Sequence, residues 1–275
     1  MTNLILNKIK NFVPAVVKRV IKEIFFTDQS EKKDFNKCYS YPEEWLSAQP
    51  IFFGQYGEDL KILPLFFGKK DGYFVEIGAM DGLCFSNTIF FEKMGWKGVC
   101  IEPHPDYTHL LIKNRPGSIA IAAAVGREDK GAVDFYTNYR GSLSTLDKEL
   151  EGYFRSSYGK WFGGFKKIQV PLVSLNTVLA KHNIPPGFEI LSIDTEGTEA
   201  DVLAGFDIKK YSPRVIIAEI SIKKEPVEDY MKKHGYILAC SNPSNAIFCK
   251  NEQDAEIIRH TNVIGHQDVT KHPLD

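Results

Sequence analysis

The chain has 275 residues, of which 43% are hydrophobic, and 34 Lys and Arg residues stand against 35 Asp and Glu residues. This composition is typical of a globular protein of one large or two small domains, and the net charge of −1 argues against a general nucleic-acid binder. The five cysteines form no CxxC pair, which disfavours a disulfide framework or a structural zinc site and indicates a reducing, cytoplasmic compartment.

Residues 3–26 are predicted to form a basic amphipathic helix, followed by a polar linker over 27–49. Apolar residues recur every three or four positions, and five Lys and Arg residues accompany a single Glu. Neither a membrane-spanning run of roughly 20 apolar residues nor a secretory cleavage site is present in this segment. Two interpretations stay open. In the first, the helix packs against its own domain or against a partner protein. In the second, it lies peripherally on the inner face of a membrane.

Residues 50–250 alternate apolar strands with amphipathic helices, and a polar tail is expected over 251–275. Fully apolar strands separated by helices are typical of a doubly wound α/β sheet, in which ligands bind at the carboxyl ends of the strands. The predicted strands are 72–78, 98–102, 118–125, 188–194 and 214–220, with a closing hairpin of 236–240 and 246–250. The predicted helices are 86–95, 109–114, 199–204 and 225–234. Residues 126–187 are an insertion with an apparent hairpin at 131–137.

The loop after the first strand carries the first chemical signal. Gly78 ends the strand and Gly82 follows four residues later, with Glu76 and Asp81 as acids at the two ends of the loop. Glycine lets a ligand approach the backbone closely, but the spacing is not the GxGxxG of a pyrophosphate cradle. Glu102 ends the second strand, where a carboxylate can accept both hydroxyls of a ribose. Together these features favour a nucleoside cofactor with positive charge.

Five blocks in this order resemble the FkbM family of S-adenosylmethionine-dependent methyltransferases, in the class I methyltransferase superfamily. They are FGQYGED at 53–59, EIGAMDG at 76–82, SNT at 86–88, GWKGVCIEP at 95–103 and IDTEGTE at 193–199. The resemblance implies a Rossmann-like, doubly wound, seven-stranded α/β sheet whose last strand is antiparallel, here with an N-terminal helical extension. It also implies O-methylation of a hydroxyl on a sugar, glycan or glycolipid precursor.

The resemblance also implies which residues hold S-adenosylmethionine. Glu102 is expected to hold the ribose, and the glycine loop is expected to wrap the methionine and ribose portions. The full set of implied cofactor-binding residues is Gln55, Tyr56, Glu76, Gly78, Ala79, Asp81, Gly82, Ser86, Asn87, Glu102, Pro103, Ala124 and Asp194.

Three acids at the ends of the fourth and fifth strands are the candidate catalytic residues: Asp194, Glu196 and Glu219. A sugar hydroxyl is a poor acid, so its methylation needs a base or a metal ion. Asp194 and Glu219 are predicted to emerge at the same sheet edge, where their oxygens suit Mg²⁺ or Mn²⁺. The metal-free alternative is that Asp194, Glu196 or His104 acts as the base.

The insertion at 126–187 is predicted to supply an acceptor-binding lid. Its stretch 153–167 is rich in aromatic residues and glycines, including Trp161, and aromatic side chains stack on sugar faces. Four cations favour an acceptor with phosphate or carboxylate groups; they are Arg155, Lys160, Lys166 and Lys167. The alternative is a surface loop whose aromatics pack on the sheet.

Two other functions stay open at this stage. A nicotinamide-dependent oxidoreductase also needs an acid like Glu102 for its ribose, although the missing GxGxxG spacing argues against it. A non-catalytic, membrane-associated scaffold could keep the fold and the cofactor without turnover.

Overall fold

The computed structural model describes residues 53–138, 143–158 and 164–261. The predicted helix at 3–26, the linker at 27–49 and Trp161 lie outside these residues, so the predictions made for them stay predictions. Within the described part of the chain, no helix combines the length and the apolar character needed to cross a bilayer.

The described residues contain ten strands, which form two sheets. In chain order they are β1 (Tyr73–Ile77), β2 (Lys97–Ile101), β3 (Ser118–Ile121), β4 (Ala124–Gly126), β5 (Lys130–Asn138), β6 (Phe165–Ser174), β7 (Ile190–Ile193), β8 (Val215–Glu219), β9 (Ile237–Ser241) and β10 (Asn245–Cys249). The large sheet has the order β3-β2-β1-β7-β8-β10-β9, and its last strand in sequence, β10, runs antiparallel to both neighbours. The predicted doubly wound, seven-stranded sheet with an antiparallel last strand is confirmed.

Helices connect these strands and cover the large sheet. In chain order they are α1 (Glu58–Ile62), α2 (Ile89–Lys93), α3 (Pro105–Asn114), α4 (Lys148–Tyr158), α5 (Leu175–Lys181), α6 (Glu199–Ala204), α7 (Ile208–Tyr211), α8 (Lys224–Lys233) and α9 (Glu252–His260), with a 3₁₀ turn at Leu63–Phe66. The four predicted helices are present. The helix α3 begins earlier than expected, at Pro105, because proline is well suited to the first turn of a helix.

The large sheet is buried on both faces, which explains its nearly continuous apolar strands. On β1, Val75 and Ile77 belong to the core cluster on one face, whereas Phe74 belongs to the cluster on the other. Side chains alternate between the faces of a strand, so both alternating sets must be apolar when helices cover both sides. The buried charge of Glu76 on β1 therefore needs a partner.

The third predicted strand, 118–125, is wrong as a single element. Ser118–Ile121 pairs with β2 in the large sheet, whereas Ala124–Gly126 pairs with β6 in a separate three-stranded sheet of order β4-β6-β5. The pairing with β2 ends at Ile101 and Ile121, and its last hydrogen bond runs from the Glu102 N–H to the Ile121 carbonyl at 3.0 Å. The chain is then free to change sheets.

The predicted hairpin at 131–137 is also wrong. Residues Lys130–Asn138 form one long strand, and its antiparallel partner is β6, about thirty residues further along the chain. The expected aromatic lid over 153–167 is divided between α4, which ends at Tyr158, and β6, which begins at Phe165.

The segment expected to be a polar tail begins with the helix α9. The Asn251 side chain caps it by accepting from the Asp254 N–H, and Asp254 pairs with Arg214 at 2.8 Å. Ala255 and Ile258 of this helix are fully buried against the large sheet. The Asn-x-x-Asp spacing before an apolar periodicity is the signal that predicts such a start.

We expect Gly98→Ala to destabilise the fold. A Cβ atom at Gly98 would lie 1.8 Å from a ring carbon of Phe74, and the Phe74 side chain is fully buried, so the core has to shift at a cost of about 1–3 kcal/mol. Gly131→Ala is the matched control, because open space surrounds its Cβ position. Urea denaturation followed by circular dichroism measures both variants, and equal midpoints would contradict the prediction.

Candidate active site

The carboxyl ends of three parallel strands meet at one point of the sheet edge. Ile193, the last residue of β7, is in register with Ile77 of β1 on one side and with Ala218 of β8 on the other. The next positions in register are Gly78, Asp194 and Glu219, which therefore lie side by side. Neighbouring strands are about 4.8 Å apart, so the two carboxyl groups project from adjacent backbones.

Gly78 is required by this close approach. Its φ is +79°, and a Cβ atom there would lie 1.7 Å from the carbonyl oxygen of Asp194. No side chain can occupy that position without moving β7. The glycine loop and the Asp194 loop are consequently held against each other.

A cavity of about 810 Å³ opens at this edge. Its wall includes most of the predicted site residues, from both the cofactor-binding and the catalytic sets. Those that line it are Gln55, Glu76, Gly78, Ala79, Ser86, Asn87, Glu102, Pro103, Ala124, Asp194, Glu196 and Glu219.

Four predicted residues do not line the cavity: Tyr56, Asp81, Gly82 and His104. The Asp81 carboxylate accepts hydrogen bonds from the N–H groups two and three residues later, at 2.9 and 2.8 Å. Asp81 therefore shapes the loop through one of its oxygens, and its expected role in cofactor binding stays a prediction. The His104 ring is buried beside Tyr107, with centroids 5.3 Å apart, and does not line the cavity.

Glu76 borders the cavity, but its charge is already neutralised. Its Oε2 lies 2.9 Å from a guanidinium nitrogen of Arg115, whose side chain is fully buried. The same carboxylate accepts from the hydroxyl groups of Ser86 at 2.9 Å and Thr88 at 2.7 Å. Glu76 lines the cavity as an acid already paired with Arg115, and its predicted role in cofactor binding stays a prediction.

Arg115 is a positioning residue that the sequence analysis missed. Besides Glu76 it pairs with Glu92 at 2.7 Å and donates to the Gly82 carbonyl at 3.1 Å. The preceding residue, Asn114, donates to the Asp81 carbonyl at 2.8 Å. The end of α3 thus holds the glycine loop from behind. No motif marks Arg115, because it lies in a polar turn where arginine is usually a solvated residue.

Glu102 faces the cavity from the end of β2. Its two oxygens accept from the backbone N–H groups of His104 at 2.7 Å and Met80 at 2.9 Å. Burial raises the pKa of Glu102 to about 7, against the lowering effect of these two hydrogen bonds. Each carboxylate oxygen has a second lone pair, so Glu102 keeps the capacity to accept hydroxyl groups of a ligand.

Asp194 and Glu219 form a carboxyl pair. The Oε1 atom of Glu219 accepts from the Ser221 hydroxyl, whereas Oε2 is buried and meets no N–H or O–H donor among the described residues. The carboxyl beside it is that of Asp194, and two carboxyl groups can hydrogen-bond only when one carries a proton. The pair therefore shares one proton, with a single negative charge between them.

Their environment fits this assignment. Asp194 is exposed to the cavity, yet protein groups crowd its carboxyl, and this desolvation together with the charge of Glu199 raises the pKa of Asp194 to about 7. Burial raises the pKa of Glu219 well above its usual value, and the charges of Glu196 and Asp194 add to the effect. Glu219 is thus the protonated partner and Asp194 the one that ionises near neutrality.

The third predicted catalytic acid, Glu196, lies on the loop after Asp194. Its Oε1 accepts from the Leu143 N–H at 3.2 Å, and both residues have left-handed backbones, with φ of +53° and +54°. Glu199 accepts from the Thr195 and Gly197 N–H groups, so it holds the loop at the start of α6. Left-handed non-glycine residues are costly and cluster at functional sites.

The insertion provides the wall opposite the strand ends. Its contribution to the cavity is mostly apolar and aromatic, from β5, the following loop and α4: Phe135, Leu143, Leu146, Leu150, Tyr153 and Phe154. The insertion therefore borders the cavity, and its role as an acceptor-binding lid stays a prediction. Its cations do not: neither Arg155, Lys166 nor Lys167 lines the cavity, and Lys160 lies outside the described residues.

The metal-ligand role expected of Asp194 and Glu219 gains no support from the geometry. In residues 53–138, 143–158 and 164–261, no three His, Cys, Asp or Glu side chains are grouped so as to hold a metal ion. The two carboxyl groups are instead each other's neighbours.

Comparison with known families decides the identity. A sequence model of the methyltransferase FkbM domain matches residues 76–238, more than half of the chain. The chain belongs to the FkbM methyltransferase family. It is therefore an S-adenosylmethionine-dependent methyltransferase, which decides against the nicotinamide oxidoreductase considered above.

Solved structures similar to this FkbM-family chain include three bacterial proteins. Precorrin-6y C5,15-methyltransferase from Geobacter metallireducens GS-15 has 12% identity and a TM-score of 0.38, over 80% of this chain and 95% of that one. A TehB-like SAM-dependent methyltransferase from Corynebacterium glutamicum has 10% identity and a TM-score of 0.37, over 76% and 93%. A protein of the NADB-Rossmann superfamily from Streptococcus agalactiae has 9% identity and a TM-score of 0.37, over 74% and 72%. No curated protein matches the sequence.

We expect Arg115→Met to destabilise this FkbM-family protein by about 3–5 kcal/mol, because it leaves buried carboxylates without their counter-charge. Adding Glu76→Gln should recover part of the loss, since one of the two uncompensated charges is then removed. Chemical denaturation at pH 7 measures the single and double variants.

Arg127→Met is the control for this experiment, because the Arg127–Asp201 pair is exposed and worth about 1 kcal/mol or less. Strict additivity of Arg115→Met and Glu76→Gln would show that the two groups do not act together.

Proposed function

We propose that the protein is an O-methyltransferase that methylates a hydroxyl group of a sugar, glycan or glycolipid precursor. The observation that carries the proposal is the Asp194–Glu219 carboxyl pair beside the cavity, where one carboxyl ionises near neutral pH. A group with a pKa close to the working pH is the most effective general base.

The residues of the cavity suit S-adenosylmethionine. Glu102 has free lone pairs for the two ribose hydroxyls, and Gly78 leaves the backbone open to a ligand where a Cβ has no room. Asn87 Oδ1 is a buried acceptor without a partner among the described residues, at the position where the resemblance expects cofactor contacts. When bound, the cofactor supplies a methyl group on a positively charged sulfur, which an oxygen nucleophile can displace.

Asp194 is the proposed general base. Its carboxylate takes the proton that the acceptor hydroxyl loses, while the neutral Glu219 carboxyl donates a hydrogen bond to it and holds its orientation. Glu196, on the same loop, is proposed to position the acceptor hydroxyl. Transfer is an in-line displacement, so the main task of these residues is to hold the hydroxyl at attack distance.

The apolar wall of the insertion supports a ring-shaped acceptor. Phe154 is buried and Tyr153 is 55% exposed, both bordering the cavity from one turn of α4. Aromatic side chains bury the apolar faces of sugar rings while the ring hydroxyls remain available to polar groups. The carboxyl groups opposite this wall provide those polar partners.

The experiment that tests the proposal is incubation with methyl-labelled S-adenosylmethionine and fractionated polysaccharide, glycolipid and small-molecule pools. Label on carbohydrate oxygen supports it. Label on protein, nucleic acid or an amine would overturn the substrate assignment.

We expect calorimetry to show binding of S-adenosylhomocysteine and none of NAD. Glu102→Gln should weaken the binding about tenfold or more, because a carboxamide oxygen can no longer serve both backbone N–H groups and the ribose hydroxyls. Glu225→Gln, at an exposed position of α8, is the matched control and should bind as the wild type does. Unchanged affinity in Glu102→Gln would remove the ribose assignment.

We expect kcat/KM for the acceptor identified above to rise with pH and to level off above about pH 7, because the Asp194 carboxylate is the active form. Asp194→Asn should lose about 10²–10⁴ in rate and the rising limb with it. Initial rates between pH 5 and 9 measure this.

Exhaustive EDTA treatment is the control for the pH experiment. A base needs no metal, so turnover should persist. Loss of activity that Mg²⁺ or Mn²⁺ restores would contradict the proposed role and favour a hydroxyl activated by a metal ion.

A further inference from the structure

The charges around the cavity are strongly one-sided. Among the described residues that line it, five are acids and none is Lys, Arg or His. The acids are Glu76, Glu102, Asp194, Glu196 and Glu219. Arg115 neutralises Glu76. The acids at the reacting end of the cavity are Asp194, Glu196 and Glu219.

A buried acceptor atom without a partner points to the same class of ligand. Asn87 Oδ1 is buried, its residue is 7% exposed, and the atom meets no N–H or O–H donor of the described protein. Asn87 is independent of the acidic cluster, since it comes from the segment before α2. A ligand that donates hydrogen bonds satisfies such atoms, whereas an anion cannot.

The cations nearest the cavity wall are already occupied. Arg155 pairs with Glu151 within α4, Lys167 pairs with Asp134 at 3.0 Å, and Lys223 pairs with Asp147 at 2.8 Å. Of the four cations on which the sequence suggested a phosphate- or carboxylate-bearing acceptor, Arg155 and Lys167 are thus paired with acids, and Lys166 does not line the cavity.

Resting on the proposed O-methyl transfer, we infer that the acceptor ring carries no phosphate or carboxylate: the site takes a neutral polyol and rejects sugar phosphates, nucleotide sugars and uronates. An anionic group on the reacting ring would lie close to Glu196 and to the negative charge of the Asp194–Glu219 pair, and no Lys, Arg or His is among the described residues that line the cavity. Like-charge placement is an effective way to exclude a competing substrate.

A binding experiment tests the electronegative site without knowledge of the acceptor. Sinefungin carries an amine-bearing carbon in place of the sulfur, and S-adenosylhomocysteine is neutral at that position. We expect sinefungin to bind about tenfold tighter at low salt, and the ratio to fall as salt is raised. Asp194→Asn and Glu196→Gln should each lower the ratio, while Glu225→Gln should leave it unchanged. Equal affinity at low salt, or a ratio that ignores salt and both variants, overturns the inference.

A transfer experiment tests the acceptor itself. After reaction with methyl-labelled S-adenosylmethionine, labelled products from the fractionated pools are separated on an anion exchanger. We expect the label in the unretained, neutral carbohydrate, and label in sugar phosphates, nucleotide sugars or uronates overturns the inference. If both cofactor analogues bind but no pool is labelled, the proposed function fails, and the binding ratio still decides the charge selection.

Discussion

The active site depends on the register of three parallel strands. Because β1, β7 and β8 end at the same level, Gly78, Asp194 and Glu219 come together without any loop having to bring them there. The missing side chain at Gly78 lets the Asp194 loop come close, and the adjacency of Asp194 and Glu219 forces them to share a proton. Hydrogen bonds of the sheet thus determine the protonation state of the proposed base.

A second constraint is electrostatic and lies behind the cavity. Glu76 is an acid inside a sheet that is buried on both faces, so it is stable only with a counter-charge, and Arg115 supplies one. The same guanidinium holds the Gly82 carbonyl. One side chain, Arg115, therefore both neutralises Glu76 and fixes the glycine loop. The charge that remains in the cavity is that of the acids at the strand ends.

The parts of the molecule that were predictable from the sequence are those decided by local pattern. The apolar runs gave β1, β2, β7 and β8, and the acids after them marked the cavity. The division of 118–125 into two strands was not predictable, because the run is uniformly apolar and the change of sheet depends on where β2 stops offering hydrogen bonds. The role of Arg115 was not predictable either, and neither was the ion pair between Lys167 and Asp134. Each depends on a partner that is distant in sequence. The helix α9, by contrast, had a readable cap at Asn251.

The two sides of the cavity come from different parts of the chain. The large sheet provides the acids and the glycine loop, whereas β5, α4 and the loop between them provide the aromatic wall. If the wall holds the acceptor, as proposed, natural variation can remodel it and recruit new acceptors while the large sheet stays intact. Grafting this one segment between relatives is a rational route to enzymes with altered regioselectivity.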